Sequence, residues 1–247
     1  MKKLLLFTLI GTVAGVLGAA DKDAKTESKA EAKVEVKADA KSEIKSATKK
    51  LAEKPNYSWT STPKSEGAGA NFRQGPTEGK TEKGGYTFYK LTFGDNDVEA
   101  AFKGAKSAIK WESDWQSADD LDGDNAWIAR RLKAFKAPAG EAEDLAAKTK
   151  DVKKGEGGLY SGDLTEDGLK ELLTRRGAQA REPKDAKGWV KFWVKDGLLA
   201  KYVFNVQGKI IGRDDQEIEI NRTTTVEIKD IGSTKVEVPA EAKKKLE

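Results

Sequence analysis

Residues 189–206 read WVKFWVKDGLLAKYVFNV, and this stretch decides the fold. Trp189 to Val194 and Leu198 to Val206 are rich in aromatic and β-branched residues, which fit strands. Asp196-Gly197 between them is a strong two-residue hairpin signal. Leu198, Ala200, Tyr202, Phe204 and Val206 are expected on one face of the second strand. A longer turn with Gly208, Gly212, Asp214 and Asp215 leads to a third strand. There Ile218, Ile220, Val226 and Ile228 share a face, and Glu217, Glu219, Thr223, Thr225 and Glu227 lie opposite. Gly232-Ser233 then turns into Val236 and Val238, a last strand stopped by Pro239. Polar residues opposite an apolar face indicate a sheet with one wet side. The dry side needs a cover.

Three helical patterns upstream, within 125–149 and 165–176, supply it. Asp124 is placed to cap a helix carrying Ile128, Leu132 and Phe135, with Pro138 beyond its end. Glu141 to Lys148 forms a second short helix. Thr165 is an N-cap, with Glu166 and Asp167 in the first turn and Leu169, Leu172 and Leu173 as one apolar stripe. Arg175 and Arg176 suit the negative end of the helix dipole, and Gly177 ends the helix. Further upstream, Tyr57 and Trp59 mark a short strand ended by Pro63. Tyr86 to Phe93, Val98 to Phe102 and Ala108 to Trp111 read as three more strands. The expected fold is α+β: one domain over 55–247, with a curved antiparallel β-sheet and helices packed on one face.

The N-terminus follows the secretory pattern. Lys2 and Lys3 precede an uncharged apolar stretch from Leu4 to Leu17, and Gly18-Ala19-Ala20 supplies the small residues before Asp21. The apolar stretch is shorter than the about 20 residues of a spanning helix. Residues 1–20 are therefore expected to be a cleaved signal peptide, with the mature chain beginning near Asp21 in the periplasm or outside the cell, without a membrane span.

Residues 21–54 are almost all Lys, Glu, Asp, Ala and Ser. From Asp23 to Lys45 the charge alternates in sign every second residue, so a helix would stack like charges four apart. Each such pair is destabilising by about 0.2–0.5 kcal/mol. The segment is expected to be a disordered Lys/Glu/Ala-rich linker. Its plain role is that of a spacer, and its sharper one is cell-envelope contact through the lysines.

Composition excludes several chemistries. The chain has 45 Lys+Arg, 41 Asp+Glu, no His and no Cys. Disulfides, thiolate nucleophiles, Cys/His metal sites and His-based triads are thereby removed, and so is a lipid anchor on an N-terminal Cys. From residue 55 onward basic and acidic residues are equal in number. Nucleic acid, which calls for a basic excess, is therefore not the expected partner.

The candidate sites are few. Asp120, Asp122 and Asp124 form a dense carboxylate cluster of the kind Ca²⁺ uses, but Asn125 stands where an EF-hand needs Gly and Arg131 where it needs Glu. The plainer reading is an exposed acidic turn. Carboxylate pairs occur by chance in so acidic a domain, and Ser161 has no base beside it. No catalytic residue and no cofactor is assigned, and the chain is read as a non-enzyme. Trp189, Trp193, Tyr202 and Phe204 either line an apolar cavity between sheet and helices or pack as ordinary core, with the two tryptophans on the wet face in the second case.

The C-terminal part resembles a known family. Trp189 to Val194 with Asp196-Gly197-Leu198, then Thr223 to Ile228, then Val236 to Ala242 are similar to the closing strands of exported LolA-like and LppX/LprG-like proteins. The resemblance covers about residues 145–242. It implies a half-barrel covered by helices that holds lipid or acyl chains. On that basis Leu169, Leu172, Leu173, Tyr202 and Phe204 are the expected ligand-binding residues, with the helix at 165–176 as a lid. The expected function is an exported carrier or binder of a lipid or other amphiphile. The alternative is a structural or protein-interaction module of the cell envelope with a solid core.

Overall fold

The computed structural model describes residues 40–66, 74–93, 96–111, 113–174, 182–211 and 215–247. The signal expected over 1–20, tail residues 21–39 and the helix end at 175–177 lie outside these.

Six strands come first: β1 (Asn56–Glu66), β2 (Gln74–Glu82), β3 (Tyr86–Phe93), β4 (Asn96–Lys103), β5 (Lys106–Trp111) and β6 (Asp114–Ser117). Two helices follow, α2 (Ala126–Lys133) and α3 (Pro138–Ala147), with a helix α1 over residues 40–52 preceding β1. Next come β7 (Thr149–Lys154), β8 (Leu159–Leu164), α4 (Glu166–Thr174), β9 (Lys184–Lys195), β10 (Leu198–Ile211), β11 (Glu217–Lys229) and α5 (Ala240–Lys245). All neighbouring strands are antiparallel. They form one 11-stranded sheet in the order β6-β5-β4-β3-β2-β1-β11-β10-β9-β8-β7. Two meanders are thus joined where the first strand pairs with the last, Trp59 opposite Ile228. The sheet is curved and open, with helices against its inner face.

The decisive hairpin forms as read. Asp196 and Gly197 both take positive φ, 52° and 72°, which the two-residue turn requires. The face assignment on β10 needs a correction. A bulge between Leu199 and Lys201 shifts the alternation, so Leu199, Tyr202, Phe204 and Val206 are buried while Leu198 and Ala200 are only half-buried. Pro63 does not end β1 as expected. Pairing with β2 stops at Ser61, while pairing with β11 runs on to Glu66. Pro63 therefore has one neighbouring strand, where a missing N–H is tolerated. Val236 and Val238 form no strand, because β11 already has partners on both sides. Gly232 N–H donates to Asn56 O and Thr234 N–H to Asn56 Oδ1, both at 2.8 Å, and the chain turns away beneath the sheet.

Residues 40–52, expected in a solvated linker, are a docked helix. Ala40, Ile44, Ala47, Thr48 and Leu51 fall at helical spacing and are all buried. Lys41 Nζ donates to Ala147 O and Thr149 O at the end of α3 (3.2 and 3.0 Å), where free carbonyls attract a cation. Glu43 accepts from Lys154 Nζ (2.7 Å) and from the Tyr160 hydroxyl.

Most of the core lies on the inner face, under α1 to α4. A smaller cluster on the outer face joins Phe88, Ala101, Ala108 and Trp115 to Val238, Ala242 and Leu246 beneath α5. Among the described residues no helix is long and apolar enough to cross a membrane.

Candidate ligand groove on the inner face

An opening into the inner core lies between α2 and strands β3, β4 and β5. A short 3-10 turn at Gly123–Asn125 starts α2, so Asn125, not Asp124, holds the cap position, and it makes no side-chain cap bond. Ile128, Ala129 and Leu132 face the sheet and are buried. Trp127 and Arg131, four residues apart, stand on one side of the helix. Opposite them are Tyr89 and Leu91 from β3, Val98 from β4, and Ile109 and Trp111 from β5. The groove between the two walls has a volume of about 30 Å³, room for a few water molecules. Trp127 is 44% exposed and meets Trp111 edge-on, with ring centroids 6.4 Å apart.

Phe135, just past α2, packs in an aromatic cluster with Tyr89, one of the groove residues. Its ring lies 4.4 Å from Phe102, 5.2 Å from Tyr89 and 6.2 Å from Trp59. The Tyr89 phenol is pushed up to about 12 by burial, with the nearby Arg131 charge opposing the shift.

The five residues expected to hold a ligand all lie in the inner core, and none lines this groove. Leu169, Leu172 and Leu173 face β9 and β10, and Thr165 Oγ1 accepts from Gly168 N–H at 3.1 Å as the cap. The stripe rests on backbone: a side-chain carbon on Gly188 would stand 2.9 Å from Leu169 Cδ2. Tyr202 has no exposed surface, and its hydroxyl donates to Glu141 Oε2 on α3 at 2.6 Å. Burial first, then the Glu141 charge, raises that phenol well above its ordinary value. Phe204 packs beside it on β10.

Trp189 and Trp193 do not reach the inner face. Strand alternation places them on the outer face, half-buried, with Lys191 Nζ 4.9 Å from the Trp189 ring and Lys201 Nζ 5.5 Å from the Trp193 ring. Around the Asp120–Asp124 turn, Asp119 pairs with Lys133 at 2.9 Å. Among the described residues no three acidic side chains converge on a cation position. Ser161 sits on the outer face of β8 opposite Lys191.

Sequence reasoning read α2 and β3 to β5 as core elements and did not assign a groove to them. The available signal was the pair Trp127 and Arg131, which lies off the Ile128–Leu132 stripe.

Buried phenols make a testable pH dependence. Tyr57, Tyr89 and Tyr202 are all raised above the usual value of 10.0, chiefly by burial. In the unfolded chain they ionise near pH 10, while the folded chain keeps their protons. Above that pH the folded state binds more protons, so stability falls as pH rises. Their contribution is complete below pH 10 and is lost progressively towards and beyond pH 12. The urea midpoint should hold between pH 8 and 9.5 and drop steeply by pH 11.5. Tyr89→Phe should make the drop shallower, and an unchanged slope would refute the assignment.

No family model matches the sequence, and no curated protein does. Among solved structures, the chain is similar to the lipoprotein LppX of Mycobacterium tuberculosis, with 9% identity, 81% of this chain and 98% of that chain covered, and a TM-score of 0.45. It is similar to LprF from Mycobacterium bovis, with 10% identity, 83% and 97% coverage, and a TM-score of 0.45. A LolA superfamily protein from Nitrosomonas europaea gives 8% identity, 80% and 94% coverage, and a TM-score of 0.32. In this chain's own structure, an open antiparallel sheet carries helices on its inner face, which is the α+β arrangement expected from the C-terminal strands.

Proposed function

We propose that this protein is an exported, non-catalytic binder of a lipid or similar amphiphile, which inserts its apolar part in the groove between α2 and β3–β5. The observation that carries the reading is the groove itself. Its walls are apolar, an exposed Trp127 stands at its mouth, and Arg131 lies beside it. The pattern of residues 1–20 supports export.

Ligand sites for small molecules run to about 300 Å³ or more, so α2 has to part from the sheet for a chain to enter. The helix is suited to that. It has eight residues and no side-chain cap. The ion pair of Lys133 with Asp119 is 56% and 72% exposed, and such pairs add about 0–1 kcal/mol. A long acyl chain would then run on over the inner core towards Tyr202, Phe204 and the Leu169, Leu172 and Leu173 stripe.

The small resting volume favours a second reading, an envelope interaction module with a solid core. Native mass spectrometry of protein purified without detergent separates the two. Acyl-chain adducts, and uptake of a fluorescent fatty acid, are expected for the binder. Leu91→Trp, which fills the groove from a half-buried position, should cut probe uptake at least tenfold with little loss of stability. A clean apo mass, with no probe uptake by the wild type, would leave the solid-core module as the function.

A further inference from the structure

The outer face of β7, β8 and β9 is a second surface with its own chemistry. The registers place Lys150 opposite Asp163, Lys153 opposite Ser161, Ser161 opposite Lys191, and Asp163 opposite Trp189. Side chains alternate between faces along a strand, so Lys150, Lys153, Lys187, Lys191, Trp189 and Trp193 share the outer face. The four lysines are exposed and the two tryptophans half-buried. Among the described residues, the carboxylates near them are Asp163, Asp185 at the start of β9, and Glu227, which pairs with Lys201 at 3.3 Å, so the lysines outnumber the acids. A domain with equal numbers of acids and bases is thus locally cationic. The described helices lie elsewhere: α1 to α4 on the inner face, α5 against β5 and β6.

We propose that this face docks the protein on an anionic lipid bilayer. Charge complementarity selects an anionic partner, and the aromatic groups select a bilayer among anionic partners. Tryptophan rings sit at the level of lipid headgroups, and lysine stems lie along apolar surface while their ammonium groups reach out to phosphate. Here each ring already has an ammonium over it, Lys191 on Trp189 and Lys201 on Trp193. That suits a ring-and-cation layer at an interface. It obstructs the bare ring faces on which the bases of a single-stranded nucleic acid would stack.

The test uses the full mature chain in sedimentation with vesicles of phosphatidylcholine, alone or mixed with phosphatidylglycerol. Binding is expected to the mixed vesicles only and to weaken as salt rises. Each lysine near an anionic surface contributes roughly fivefold. The pair Lys150→Glu with Lys191→Glu should therefore lower partitioning at least tenfold, and Trp189→Ser with Trp193→Ser should lower it while leaving the salt dependence. Both pairs are at the surface, and an unchanged urea midpoint verifies that they fold. The groove variant Leu91→Trp should bind vesicles as the wild type does, so failure of the groove reading and failure of this one give different results. Equal binding to both vesicle types overturns the proposal. So does charge-reversed protein that still binds, because the attraction then lies elsewhere in the chain. Binding to soluble polyphosphate that matches the vesicles and ignores the tryptophan changes would make the face a polyanion site instead.

Discussion

Ile44→Asp is expected to leave the chain unfolded at ambient temperature, although it lies in a segment whose composition resembles a solvated tail. Ile44 has no exposed surface, and Leu51, two turns on, has none either. Full burial of each stabilises the fold by about 1.5–3 kcal/mol. The opposing terms are small. Lys41, Lys45 and Lys49 stack four apart on α1, and each like-charge pair costs about 0.2–0.5 kcal/mol. Burial therefore wins, and the helix docks. An aspartate at position 44 would remove that burial and place an unpaired carboxylate in the inner core, a change of about 5 kcal/mol or more. That is comparable to the whole stability of many domains, about 5–15 kcal/mol. Ser46→Asp on the exposed side of the same helix should change stability by about 0.5 kcal/mol or less. Circular dichroism and urea titration of both variants decide the matter. If Ile44→Asp unfolds at the wild-type midpoint, α1 is not part of the core.

The misreading of that segment has a physical origin. The charges from 23 to 45 fall at every second residue and repeat in sign every four, a pattern that masks a sparser apolar set, Ala40, Ile44, Ala47 and Leu51, at helical spacing. The C-terminal meander was legible for the opposite reason. Its strands are amphipathic with period two, and Asp196-Gly197 sets the turn, so local chemistry and tertiary structure agree. Strand β2 was not legible. Its sequence, Gln74-Gly75-Pro76-Thr77-Glu78-Gly79-Lys80, offers no apolar alternation, and only the neighbours β1 and β3 make it a strand. The groove was hidden for a related reason. Its walls come from β3, β4, β5 and α2, and the sequence of those elements says that each is amphipathic without saying where two apolar faces part. The five expected ligand residues were read as inner-face residues, and all five are. The β10 bulge and the contact between Tyr202 and Glu141 on α3 are outcomes of packing that no local pattern carries.

Gly79→Leu is the second substitution expected to be severe, and its cause is one ring. Gly79 lies directly opposite Trp59 across the β1–β2 ladder. The indole lies across the glycine, and a side-chain carbon built there would stand 2.1 Å from Trp59 Cζ2 and 2.2 Å from Cε2. The ring has little freedom to withdraw. It is 4% exposed, its Nε1–H donates to Thr81 Oγ1 at 3.1 Å, and it packs against Tyr89 and Phe135, each with a centroid 6.2 Å away. Either the ring leaves this cluster or β2 separates from β1. Overpacking a core costs about 1–3 kcal/mol, sometimes more, and a displaced indole adds a lost hydrogen bond of about 1 kcal/mol. A loss of about 3 kcal/mol or more is therefore expected, read as a fall in the urea midpoint. Trp59 fluorescence should also shift to the red as the ring meets water. Because Tyr89 is part of the groove wall, probe uptake should fall with it. A double variant distinguishes this cause from a general intolerance of substitution in β2. Trp59→Leu alone removes packing and should destabilise. With Gly79→Ala added, the smaller side chain leaves space for the new methyl group, and the pair should be less destabilised than the sum of the two single changes. Contacting residues show coupling of about 0.5–3 kcal/mol. Strict additivity would mean that the glycine is needed for backbone reasons alone and that the indole does not rest on it.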